Sequence, residues 1–99
     1  MRATGEIQVI PIGVGVSLRA HVKRAHEIIA AQPGVEVALH AQGTNVEGEL
    51  HDLLAAIEVL HETLHAEGVV RLSTAIKLGT RTDKTPSLRA KVQAVRGDQ

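Results

Sequence analysis

No Phe, Tyr or Trp occurs anywhere in these 99 residues, and that omission constrains the fold more than any motif does. Phe, Tyr and Trp ordinarily supply the largest blocks of buried area in a small core. Here the interior has to be assembled from Val, Ile, Leu and Ala. Such a core is thin, because a chain of this size buries only about two thirds of the surface that its unfolded form exposes. Self-association would bury more. Cysteine is absent as well, which removes disulfides, thiolate metal sites and cysteine nucleophiles from consideration and is compatible with a reducing compartment.

Eleven basic and eleven acidic residues give a formal net charge of zero. They are interspersed, so there is no electrostatic footprint for a polyanion, and nucleic acid is not an expected partner. The opening MRATGEIQVIPIG lacks the charged-then-apolar layout of a signal peptide, and no apolar run approaches the roughly 18 residues of a membrane span. The expectation is a soluble cytoplasmic protein with a single domain over residues 1–99 and no membrane partner.

Hydrophobic periodicity supplies the element order. GEIQVIPI, residues 5–12, is rich in β-branched residues and predicts a strand. Ser17 is a suitable N-cap for a helix whose Leu18, Val22, Ala25 and Ile29 form one apolar stripe, and Pro33-Gly34 ends it. Residues 35–42, VEVALHAQ, alternate as a strand; after Gly43, TNVEG pairs back as another. A second helix over 49–67 carries Leu50, Leu53, Leu54, Ile57, Leu60 and Leu64 on a broad stripe, with Gly68 as its C-cap. VVRLSTAIKL alternates most clearly of all, and Thr85-Pro86 predicts the N-cap and first turn of a short C-terminal helix. This βαββαβ order plus a helix predicts an α+β, ferredoxin-like sandwich: a four-stranded antiparallel sheet with the two main helices on one face.

Within the second helix, HETLH at 61–65 matches the His-Glu-x-x-His pattern of zinc proteases, in which two imidazoles share a helical face beside a general base. The metzincin extension would place a third histidine where Arg71 stands, and arginine does not bind zinc. The chain is also too short for a zincin cleft. Neither a metal site nor a catalytic residue is expected, and Ser17, Ser73 and Ser87 have no nucleophile-elbow context.

The sheet face away from the helices is expected to carry Glu6, Gln8, Glu36, Ala38, His40, Gln42, Asn45, Glu47, Arg71, Ser73, Ala75 and Lys77. Its small and hydrogen-bonding residues suit close approach by another sheet or by a small polar ligand. A second polar feature is the cation cluster Lys77, Arg81 and Lys84 after the last strand, which is read as a solvated turn or an anion site.

Several stretches together resemble the small thiamine-binding protein family: GTNVEG at 43–48, His61-Glu62, Gly68-x-x-Arg71, Ile76-Lys77, Arg81-x-Asp83-Lys84, Lys91-Val92 with Val95, and the earlier Pro11-x-Gly13 and Ser17. The chain departs from the family pattern at Ala41-Gln42, at Asn45 and at Gly79. The resemblance implies a ferredoxin-like protomer that pairs through its sheets into dimers or tetramers. It also implies binding of thiamine, or its hydroxymethylpyrimidine portion, without turnover and without a cofactor.

A thiamine site needs an acceptor for the exocyclic amine, a donor for the ring nitrogens and a carboxylate for the thiazolium cation. Glu47 is assigned the carboxylate role, Gln42 and Thr44 the polar contacts, and Gly43 close approach of the ring to the backbone. Ser73 and Gln8 are added from the face pattern. Without aromatics the chain forgoes a cation–π contribution of about 0.5–2 kcal/mol, so modest affinity is expected. Two alternatives make different predictions. A structural or regulatory oligomer would be a tetramer indifferent to thiamine, and a metal enzyme built on His61, Glu62 and His65 would carry stoichiometric zinc.

Overall fold

A computed structural model describes residues 1–15 and 18–97. Its elements run β1 (Arg2–Ile12), α1 (Arg19–Ala30), β2 (Val35–His40), β3 (Gly43–Glu49), α2 (Leu50–Ala66), β4 (Arg71–Gly79) and α3 (Leu88–Arg96). The sheet order is β2-β3-β1-β4 with every neighbouring pair antiparallel. Each helical crossover therefore skips over one strand, as the ferredoxin-like expectation requires.

Strand alternation divides the sheet residues between two faces. Ala3 and Ile7 on β1 and Val46 on β3 face α1 and α2, where they meet Ala25, Ile28 and Ile29 of α1 and Leu53, Leu60 and Leu64 of α2 in one core. This is the aliphatic interior that the composition demands. Helix α2 ends in a Schellman arrangement: Val69 N–H donates to the Leu64 carbonyl and Gly68 N–H to that of His65, with Gly68 at φ +105°. Val69 and Leu64, both buried, close the motif from the inside.

The structure corrects several sequence expectations. β1 begins at Arg2 rather than residue 5, because Arg2, Ala3 and Thr4 pair with Glu49, Gly48 and Glu47. Val70 is 90% exposed and precedes β4, whereas Val69 enters the core; the Gly68 turn determines which of the two valines points inward. Leu39 and Ile76 do lie on the helix side of the sheet, but they belong to its edge strands and stay 61% and 45% exposed. On α1, Ile28 is buried and Val22 is left largely exposed. The α3 cap is Ser87, not Thr85. Ser87 is extended (φ −151°, ψ 128°) and its Oγ accepts from Ala90 N at 3.2 Å, with Leu88 as the first helical residue. The expected Ser17 cap lies outside the described residues.

Helix α3 sits on the opposite face of the sheet from α1 and α2. Leu88 N donates to Glu47 Oε1 at 2.9 Å, and Lys91 Nζ donates to Thr4 Oγ1 at 3.1 Å. No residue of α3 is buried. It rests on the sheet through these polar ties and its first turn, and it leaves the far end of the open face uncovered.

Candidate functional site

A cleft of about 160 Å³ opens where the first turns of α1 approach β1 and the β2–β3 hairpin. Its apolar wall comes from Leu18 with Val22 and Ile29 of α1 and from Ile7 and Val9 of β1, and its polar rim from Gln8, His40, Gln42, Gly43 and Thr44. The hairpin turn differs from the sequence expectation, which ran the strand through Gln42 and put the turn at Gly43. His40 pairs with Gly43, leaving Ala41-Gln42 as the two-residue turn, and Gln42 N–H donates to His40 Nδ1 at 3.2 Å. In its neutral form the His40 ring therefore carries its proton on Nε2.

Four of the six residues assigned to ligand binding, Gln8, Gln42, Gly43 and Thr44, line this cleft. Glu47 and Ser73 do not. Thr44 and Glu47 are three positions apart on one strand and so fall on opposite faces. Thr44 is 5% exposed on the helix side, with Oγ1 3.4 Å from His26 Nδ1. The Glu47 carboxylate is on the α3 side, occupied by Leu88 N–H and 3.6 Å from Arg2. Ser73 is exposed on β4 opposite Ile10. At Gly43 an added Cβ would come within 2.8 Å of the Ile7 carbonyl and 3.6 Å of His40 Cε1. The close approach that requires glycine here is thus between strands, with the His40 ring alongside.

Sequence reasoning did not identify the contact between His40 and Glu6. They belong to β2 and β1, on either side of β3, and their side chains meet on the open face, with Glu6 Oε2 3.1 Å from His40 Nε2. The separation is short, but Nε2 makes no aligned hydrogen bond, so the contact is an electrostatic one that strengthens when the ring is protonated. Alternation places both residues on the open face; their contact depends on the strand order.

HETLH is tied into the fold through its ring nitrogens. His61 Nε2 lies 2.7 Å from Thr74 Oγ1 on β4, and His65 Nδ1 lies 2.7 Å from the Val69 carbonyl, to which it donates. The rings are 6.2 Å apart, centroid to centroid. Among the described residues no three His, Cys, Asp or Glu side chains converge as a metal site. The cation cluster after β4 is partly neutralised: Arg81 makes a two-point contact with Asp83, which holds that carboxyl well below its ordinary range, at about 2. Arg24 similarly grips Glu67 with two nitrogens, joining α1 to the end of α2, and lowers the Glu67 pKa.

The profile of the thiamine-binding protein family matches residues 5–96. The chain belongs to this family. A UPF0045 protein of Synechocystis is 36% identical over 95 residues, covering 96% of this chain and 78% of the relative. A UPF0045 protein of Bacillus subtilis is 33% identical, covering 94% and 93%. Among solved structures, a hypothetical protein of Methanocaldococcus jannaschii superposes with a TM-score of 0.87 at 30% identity over 96% of both chains. A Thermotoga maritima protein, described as a candidate for thiamine biosynthesis or salvage, gives 0.83 over 97% of this chain and all of that one. At 22% identity it attests the fold alone. The thiamine-binding family is a family of binding proteins, and among the described residues no helix is long and apolar enough to cross a membrane.

Proposed function

We propose that this member of the thiamine-binding family reversibly binds thiamine, or its hydroxymethylpyrimidine portion, without chemical turnover, in the cytoplasm. The observation that carries the proposal is the hairpin cleft, which combines an aliphatic wall with the polar rim of Gln8, Gln42 and Thr44 in a chain matched by the family over nearly its whole length. An aminopyrimidine needs both donors and acceptors at its edge, and the two carboxamides offer both. At about 160 Å³ the cleft is below the roughly 300–1,000 Å³ of pockets that enclose drug-sized ligands. It suits one ring, with the rest of thiamine lying outside.

That size mismatch also supports assembly, in which a second copy covers what one protomer leaves open. Ile10 and Ile12 are 40% and 39% exposed on the open face beyond α3, and with Ala75 and Ser73 they form a small-residue, partly apolar surface suited to another sheet. On this reading Glu47 and Ser73, which do not line the cleft of one protomer, contact ligand only in the assembled form. The test is calorimetric titration with thiamine and hydroxymethylpyrimidine, paired with sedimentation velocity. Saturable binding by an oligomer, weakened about tenfold or more by Gln42→Ala, is expected. Flat titrations would leave an assembly module that does not bind thiamine.

A further inference from the structure

We propose that the cavity between α3 and the open face of the sheet is an anion site that takes a phosphate group. This cavity, of about 260 Å³, is bounded by Lys77 of β4, Lys91 of α3, Asn45 of β3 and Thr4 and Glu6 of β1, with the Glu6 carboxylate drawn toward His40. It is separate from the hairpin cleft and does not depend on thiamine binding there.

Three features indicate an anion. Among the described residues, neither Lys77 nor Lys91 has a carboxylate within 4.0 Å, which is equally true of Lys23 and Lys84, but Lys77 and Lys91 line one cavity together. Lys77 stands directly opposite Glu6 in the β1–β4 register, where an ion pair would ordinarily form. Glu6 is instead turned the other way, over β3 toward His40. The carboxylate that would have neutralised Lys77 is thereby engaged elsewhere. Lys91 spends one N–H on Thr4 Oγ1, a neutral acceptor only 2% exposed, and its two remaining N–H groups have no hydrogen-bond partner among the described residues.

Two ammonium groups sharing one cavity repel each other unless an anion lies between them. These lysines and Asn45 belong to β4, α3 and β3, three separate elements around the cavity. That arrangement matches the tetrahedral oxygens of a phosphate better than the flat edge of a carboxylate, and lysine serves phosphate as a point charge. The phosphate has two sources: free inorganic phosphate or pyrophosphate, or the phosphorylated form of a ring ligand. Thr4 and Gln8 are four residues apart on β1, about 13 Å, so a ligand reaching from the hairpin end would have to be extended.

The experiment is titration of the whole chain at low ionic strength with inorganic phosphate, pyrophosphate, thiamine and thiamine monophosphate. It is repeated for Lys77→Gln, Lys91→Gln and the turn control Lys84→Gln, with thermal melts to verify folding. Expected is one saturable pyrophosphate site per chain, weakened at least tenfold by Lys77→Gln and by Lys91→Gln and unchanged by Lys84→Gln. If thiamine monophosphate also binds more tightly than thiamine, and the difference disappears in the two variants, the phosphate arrives on the ring ligand. Equal affinity for the two assigns the site to the free anion. Absence of saturable binding by both inorganic ligands, or equal weakening in all three variants, overturns the proposal. Neither result depends on whether thiamine itself binds, so the two proposals can fail separately.

Discussion

Glu47 illustrates how a single carboxylate can be suited to a ligand in sequence and committed to the fold in space. It accepts from Leu88 N–H at the first position of α3, where a negative group also complements the positive end of the helix. With its side chain 19% exposed, the bond is partly shielded from water. Glu47→Ala is therefore expected to lower stability by about 1–2 kcal/mol and to accelerate amide hydrogen exchange across residues 88–96. Loss of thiamine binding with exchange in α3 unchanged would instead assign this carboxylate to the ligand.

At the scale of elements, the ends of the helices separate what local chemistry dictates from what packing adds. Helix α2 was legible almost to the residue, since its leucine stripe is long and Gly68 supplies the left-handed stop. An added Cβ at Gly68 meets nothing within 4 Å, so Gly68→Ala exacts only the conformational cost of a positive φ. The expectation is a loss of about 1 kcal/mol in urea denaturation, with no change in the cooperativity of the transition. Helix α3 was legible in existence but not in detail. Two hydroxyl residues flank Pro86, and the choice of Ser87 over Thr85 as cap depends on backbone angles that follow from docking onto Glu47.

For the molecule as a whole, the described residues form an elongated body. Its extents are 45 × 26 × 19 Å and its radius of gyration is 14.4 Å, against about 13 Å for a compact domain of this length. One layer of aliphatic side chains between sheet and helices carries much of the stability, so single truncations there are costly. Leu60, at 0% exposure, is expected to cost about 2–5 kcal/mol on replacement by alanine, a large part of the roughly 5–15 kcal/mol available to a domain. Urea denaturation of Leu60→Ala beside Leu54→Ala, a leucine of the same stripe that is 51% exposed, tests this directly. Comparable losses at the two positions would mean that Leu54 is buried by assembly.

The sequence by itself determined the element order, the antiparallel α+β class and the aliphatic character of the core, because periodicities of two and 3.6 residues are local properties of the chain. It also anticipated a hairpin near Gly43, though the turn is Ala41-Gln42 and Gly43 is the first residue of β3, and its resemblance to the thiamine-binding family anticipated the match over residues 5–96. Tertiary structure alone decided which polar residues meet. Glu6 reaches His40 across β3 and Lys91 reaches Thr4 from 87 positions away, whereas the parting of Thr44 from Glu47 is already contained in the period-two pleat of β3. Such meetings depend on strand order and helix docking, which are set by burial summed over the whole chain. No local window of residues contains them.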